Sequence, residues 1–281
     1  MTPGTRATIV LCARQELAVA VRTRWTQIFA IVFGGLTLAV AGSGYVLSGG
    51  SGVQDFARTA ASLVQVVLLL VPLAALLLGV MALTPDPGAA ELLYSQPVAR
   101  RTILAGKLMG LFVALTAAQA VGFGAAGLVI FARTGRDGLS TFLVVIAGAT
   151  ALTAVFLALA AALVAGDTST RRSRGLALAL VCWLVVVVLF DVAALGVTSL
   201  LPSGVASRVL MTAAILNPVD AVRTGALLSA EGTTAFGGAS LAFLRFAGGM
   251  RGALLWPVAS LIAWTVVFCA IAARRVTRAD I

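Results

Sequence analysis

One acidic residue, Asp191, lies well inside a long run of apolar residues. A charge at the centre of a bilayer costs at least about 2.5 kcal/mol, so a residue of this kind normally faces protein or water. Two roles are open to Asp191. It can line a path for a substrate or a proton, or it can be the structural partner of an arginine or a backbone group. The structural role is the favoured one.

The other groups that carry chemistry are scarce. The sequence has no histidine and no GxxxxGK[ST] phosphate loop, its three cysteines are isolated and its five methionines are scattered. Ser-His-Asp and Cys-His catalysis are therefore excluded, and so is ATP binding by this motif. No thioether or other metal site can be recognised either. We expect a protein that is not an enzyme and that needs no cofactor or metal.

A polar segment, Thr84–Lys107, separates two long apolar runs, and we call it the polar island. Two prolines and a glycine at 85, 87 and 88 end the preceding helix, and a short amphipathic helix can follow from Ala89 to about Gln96. This helix combines acidic and apolar side chains that could bind a soluble partner. The expected contact residues are Glu91, Leu92, Leu93 and Tyr94, followed by Gln96 and Pro97 at the turn and by Arg100, Arg101 and Lys107 at the lipid headgroups.

The composition excludes a water-soluble fold. Of 281 residues, 60% are hydrophobic and 11% charged, and the mean hydropathy is +1.08, whereas a soluble domain is about half apolar and a quarter charged. Apolar runs of about 20 residues recur without a period of two, which predicts membrane-spanning helices and not a β-barrel. The net charge of +10 comes from arginines at the ends of these runs. There they meet anionic lipid, so nucleic acid is not expected.

The predicted fold is an all-α polytopic membrane protein forming a single domain, 1–281. An interfacial elbow helix at 5–24 precedes the first span, because its apolar residues recur at helical spacing. Pro72 is expected to kink the second span, and the GxxxG pair Gly106 and Gly110 predicts a close helix contact in the third. The six spans are predicted at about 25–47, 60–83, 102–132, 139–165, 175–200 and 252–273.

Residues 201–251 form the longest part that does not resemble a span. Asn217, Pro218 and Asp220 are typical of a helix start, as N-cap, first helical residue and first-turn acid. We predict one or two short helices between Val205 and Leu228, lying at the outer surface or dipping into it. Six spans place both termini on one side of the membrane. That side holds 13 of the 20 basic residues, so the termini and the loop 84–101 are expected to be cytoplasmic.

Two segments resemble ABC-2 type transporter permeases. Residues Glu91–Lys107 are similar to the family's loop pattern LL-x-x-P-V-S-R, followed by an apolar pair and GK, with Ala99 where the pattern prefers serine. The stretch from Arg14 to Trp25 resembles the family's N-terminal elbow helix. A narrower likeness to NosY-type permeases is found at Arg174-Gly-Leu-Ala-Leu, at Phe190-Asp191 and at Asn217-Pro-Val-Asp-Ala-Val-Arg223.

The resemblance implies the permease subunit of an ABC transporter in the bacterial plasma (inner) membrane. It implies a homodimer that carries two ATPase subunits on its cytoplasmic face, with 84–101 as the coupling loop. The narrower likeness implies a link to copper-site maturation of nitrous oxide reductase, with room for a periplasmic accessory protein. The alternatives are an exporter of a drug, lipid or other small cargo, a membrane assembly scaffold without a transport cycle, and an ion-driven carrier that uses Asp191.

Overall fold

The computed structural model describes residues 3–46, 52–84, 98–134, 138–165, 172–202, 205–206, 209, 212–213, 216–231 and 248–278. Within these ranges all regular secondary structure is helical. Six helices are long and apolar enough to cross a membrane, which confirms the predicted all-α fold with six spans. The helices are α1 (Pro3–Arg22), α2 (Arg24–Val46), α3 (Gly52–Leu83), α4 (Arg100–Thr134), α5 (Leu139–Val164), α6 (Arg172–Ser199), α7 (Pro218–Glu231) and α8 (Met250–Arg278).

Several helices are longer than the apolar runs that predicted them. Helix α3 begins at Gly52, whereas the predicted span begins at about residue 60, so Asp55 and Arg58 belong to the helix. Helix α8 continues to Arg278, beyond the predicted end near 273. The reason is that hydropathy reports the part of a helix that suits lipid, whereas backbone hydrogen bonding continues past that part.

Helix α5 occupies the centre of the bundle and packs against α3, α4, α6, α7 and α8. Its small side chains allow close approach. A Cβ atom added at Gly79 of α3 would lie 2.7 Å from the Cβ of Ala160. In the most apolar part of α5, 56% of the residues are buried, whereas the corresponding value for α6 is 11%. Helix α6 is therefore a peripheral helix with few packing contacts of its own.

The GxxxG pair has a partner that the sequence did not identify, namely helix α1. A Cβ atom at Gly106 would clash with the Cβ of Cys12, and one at Gly110 would clash with the carbonyl oxygen of Ala13. The elbow segment is therefore a helix packed closely on the first turns of α4, as small residues permit. The apolar stripe predicted for this segment is only partly buried. Ala20 is buried, whereas Val10 and Val21 are half exposed.

Candidate functional site

The predicted docking residues of the polar island lie outside the described residues, since 85–97 is one of the gaps. Their role therefore stays a prediction. This applies to Glu91, Leu92, Leu93, Tyr94, Gln96 and Pro97. The structure does describe the two borders of the island, which are the end of α3 at Leu83 and the start of α4 at Arg100.

Two basic side chains hold the end of α3, immediately before the island. The Lys107 ammonium donates to the carbonyl oxygen of Ala82 at 3.1 Å, and the Arg172 guanidinium donates to that of Met81 at 3.0 Å. The last four carbonyls of a helix lack partners within it and carry its partial negative charge. Cations from α4 and α6 therefore stabilise the α3 terminus and fix it to two neighbouring helices.

The same arrangement recurs at the end of α5. The Arg275 guanidinium of α8 donates to the carbonyl oxygens of Ala162 and Leu163, at 2.8 and 2.9 Å. Arg101 at the start of α4 donates to the hydroxyl of Thr277 in α8, at 3.3 Å. We call this end of the bundle the basic end. Arg101 and Lys107, which the sequence assigned to lipid headgroups, form bonds to protein groups here.

Lys107 also connects the basic end to α1, since its ammonium lies 3.9 Å from a carboxylate oxygen of Glu16. Burial raises the pKa of Glu16 above its usual value of 4.5, and the nearby Lys107 offsets only part of this effect. Lys107 therefore contacts α1 and α3 while belonging to α4. Movement at the end of α3 would reach all three helices through this side chain.

A second cluster lies nearer the opposite end of the bundle, between α6 and α7. The Arg223 guanidinium binds both carboxylate oxygens of Asp191, at 2.9 and 2.5 Å. It also donates to Asp220, one turn earlier in α7, at 2.6 Å. Asp191 thus has the arginine partner that its structural role requires. A fork of two parallel bonds is the strongest geometry for such a pair.

No sequence pattern identifies Arg223 as the partner of Asp191, because Arg223 lies in a segment that is too short and too polar to be recognised as a span. The three side chains are 11% to 28% exposed. The Nε atom of Arg223 is buried without a hydrogen-bond partner among the described residues. Each oxygen of Asp191 is bonded to the guanidinium, which is the geometry of a structural ion pair.

Asp191 follows an unusual stretch of α6. The helix is α-helical to Trp183, forms a π-helix over Leu184–Leu189, and is α-helical again from Phe190. A π turn contains an extra residue and disturbs the regular bonding of backbone carbonyls. The Asn217 side-chain amide donates to one of these carbonyls, that of Val186, at 2.8 Å. No sequence pattern predicted the π segment.

Helix α7 begins where the sequence places it. The Asn217 side-chain oxygen accepts from the backbone N–H of Val219 at 2.9 Å, which is an N-cap, and Pro218 is the first helical residue. One face of the helix packs inside the bundle. Val219, Val222 and Ala226 are buried, because they form an apolar stripe on a helix too short to be recognised as a membrane segment.

The contacts of α7 show how it runs through the bundle. Asn217 reaches Val186, which is about midway along α6, whereas the carbonyl of Ser229 accepts from Thr141 in the first turn of α5. Between these points, Val222 fills the space left by Gly148 of α5. Helix α7 therefore starts near the middle of the bundle and ends at the opposite end, as a re-entrant helix does.

The arrangement also limits the chemistry that these residues can perform. Among the described residues, no group of three or more His, Cys, Asp or Glu side chains could hold a metal ion. The ion pair binds one helix to another and offers no activated nucleophile. What this ion pair does in the structure is hold α6 against α7.

Comparison with known proteins supplies the class. Residues 10–281 match the family model of ABC-2 family transporter proteins. The chain belongs to the ABC-2 transporter family. It is 34% identical over 217 residues to the probable ABC transporter permease protein NosY of Pseudomonas aeruginosa, covering 75% of this chain and 78% of the relative. The probable ABC transporter permease protein NosY of Stutzerimonas stutzeri is 32% identical over 235 residues, covering 79% of this chain and 82% of the relative.

The permease is therefore the membrane subunit of an ABC transporter. Six candidate membrane-spanning helices are consistent with a membrane subunit of this class. Both features described above belong to this membrane subunit. One is the anchored base of the polar island, and the other is the ion pair that joins α6 to α7.

Proposed function

We propose that this permease is driven by a separate ABC ATPase that binds the polar island, with Glu91, Leu92, Leu93 and Tyr94 as the contact. In this proposal the basic end of the bundle faces the cytoplasm. The two termini lie on that side, in a bacterial plasma (inner) membrane. Closure of the ATPase pair pushes on the island, and α3 receives the force because the island follows its last turn directly.

The hydrogen bonds at the end of α3 are the observation that supports this route. Lys107 and Arg172 bind the carbonyls of Ala82 and Met81, so a shift at the end of α3 would act on α4 and α6 through these bonds. A further bond connects α3 and α6 deeper in the bundle, where Trp183 donates to the carbonyl of Leu69 at 3.1 Å. The second and fifth spans are thus joined at two levels, as a force path between them requires.

The family resemblance supports two further parts of the proposal. The functional unit is a homodimer of permeases with two ATPase subunits, surrounded by membrane lipids. The likeness to permeases named NosY favours a role in copper-site maturation of nitrous oxide reductase, with an accessory protein on the periplasmic side. A chain without histidine gives no support for copper itself as the cargo, so a sulfur-containing or other small cargo fits equally well.

The docking proposal is tested by the double change Glu91→Arg and Leu92→Asp. Reversing a charge and placing a carboxylate in an apolar contact should abolish co-purification of the ATPase and its stimulation by the permease. The permease should remain in the membrane at its normal level. A matched control is Leu200→Asp, the same Leu-to-Asp change at an 87% exposed position at the opposite end of α6.

The docking assignment is wrong if ATPase assembly and stimulation survive both changes. Loss of assembly in the Leu200→Asp control as well would mean that charge anywhere on the permease disrupts the complex, which also contradicts a specific contact. A complex that forms normally but is indifferent to ATP would favour the assembly scaffold. Transport that follows a proton gradient and fails in Asp191→Asn would favour the ion-driven carrier.

A further inference from the structure

Helix α6 has two parts with different support. The part before the π segment, Arg172–Trp183, contacts α3 and α5. The part after it, Phe190–Ser199, contains no buried residue. We call this second part the distal segment. Within one chain and among the described residues, apolar packing therefore contributes little to holding it, and its position relative to the rest of that chain depends on polar bonds.

Residues of α7 and its N-cap bind both the π segment and the distal segment. Asn217 binds the carbonyl of Val186 inside the π segment, at 2.8 Å. Arg223 binds Asp191, the second residue of the distal segment, through two bonds. Helix α7 itself is firmly seated, since Val219, Val222 and Ala226 are buried. A fixed helix therefore holds a loosely packed segment across a π turn.

Two tryptophan side chains form further bonds between helices beside this point. Trp183 donates to the carbonyl of Leu69, three residues before Pro72, which lies inside α3. Trp264 of α8 donates to the carbonyl of Leu216, just before the start of α7, at 2.9 Å. Together with the Asn217 bond, these contacts connect α3, α6, α7 and α8 near the π segment. Kinks and π turns are the places where a membrane helix can bend.

We propose that the π segment is a hinge and that the Arg223–Asp191 pair is a latch that holds the distal segment against α7. When the latch opens, the distal segment bends away at Leu184–Leu189, while Arg172–Trp183 stays attached to α3. The movement is local to this half of α6. The inference is independent of which ATPase drives the permease and of which cargo it moves.

The charges suggest the variant that opens the latch without damaging the fold. Arg223 faces two carboxylates, Asp191 from α6 and Asp220 from its own helix. Asp191→Asn removes the charge on the distal segment but leaves Arg223 paired with Asp220, so no buried charge is orphaned. Replacing Arg223 would leave two carboxylates uncompensated, which is a harsher change. Asp220→Asn is the matched control, since it removes one carboxylate and keeps the latch.

Spin-label distances measure the movement in the full chain, in nanodiscs and in a variant without Cys12, Cys182 and Cys269. One label pair joins Leu195 of the distal segment to Leu143 of α5, both exposed positions. A second pair joins Leu143 to Leu180, before the hinge and also exposed. Each doubly labelled chain is diluted with unlabelled chains, so that measured distances come from within one chain.

Asp191→Asn should raise the population of a second Leu143–Leu195 distance by roughly tenfold or more, the effect of losing charge-assisted bonds. The Leu143–Leu180 distance should stay unchanged. Asp220→Asn should resemble the unmodified chain, and Asp191→Glu should restore the single distance. An unchanged Leu143–Leu195 distance in Asp191→Asn refutes the latch, and so does an equal change in Asp220→Asn. Movement of both label pairs refutes the hinge.

Discussion

Replacing Gly110 by alanine should loosen α1 from α4, because the two backbones meet at this glycine. A Cβ atom there would clash with the carbonyl oxygen of Ala13, and it would lie 2.8 Å from the Cβ of Glu16 and 3.0 Å from the backbone nitrogen of Leu17. The first and last of these are main-chain atoms, which no change of rotamer can move. The whole of α1 must therefore shift.

The size of the effect follows from this geometry. Overpacking a close contact typically costs about 1–3 kcal/mol. At about 1.4 kcal/mol per factor of ten, the population with α1 undocked should rise by roughly five- to a hundredfold. The control is Gly124→Ala in the same helix, where the added Cβ meets nothing within 4 Å. That change should be neutral or slightly stabilising, since alanine favours helix more than glycine does.

Cys12 provides the assay, because its Cβ faces Gly106 at the same contact. Maleimide labelling of Cys12 in nanodiscs should become severalfold faster in Gly110→Ala, while Cys182 and Cys269 react as before. The rise is smaller than the change in population because Cys12 is already partly exposed when α1 is docked. Equal labelling rates and melting temperatures for Gly110→Ala and Gly124→Ala would refute the proposed close contact.

Two further predictions concern the basic end. Arg275→Gln should lower the free energy of unfolding by about 1–3 kcal/mol, because bonds from a charged donor to Ala162 and Leu163 are lost. Arg275→Lys should lower it by less. The prediction is contradicted if Arg275→Gln lowers it no more than Arg274→Gln, a change at the exposed neighbouring residue. Glu16→Gln tests the burial of Glu16, whose pKa is raised in the folded protein. The protonated carboxyl therefore contributes to the stability of the folded state below pH 4.5, and this contribution is lost as the pH rises through the folded-state pKa. The melting temperature of Glu16→Gln relative to the unmodified permease should therefore increase from acidic to neutral pH, and a decrease would show that the Lys107 attraction outweighs desolvation.

Much of the fold can be predicted from the sequence alone. Runs of apolar residues long enough for lipid predict six helices, because an isolated backbone in a bilayer must satisfy its own hydrogen bonds. The sequence also predicted the start of α7, because Asn217 and Pro218 favour a helix start through contacts within one helical turn. ATP binding through a GxxxxGK[ST] loop could be excluded from the sequence as well, because this motif is a short contiguous stretch of residues.

The tertiary structure alone decided which distant groups meet. Asp191 could have faced lipid, water or any arginine, and only the burial of α7 places it on Arg223, 32 positions later in the chain. The GxxxG motif predicted a close contact, but only the fold selects α1 as its partner. The π segment depends on Asn217 binding a carbonyl of another helix, a long-range contact that no residue in Leu184–Leu189 reveals. Local pattern fixes backbone hydrogen bonds within a helix, whereas pairing between helices is settled by packing.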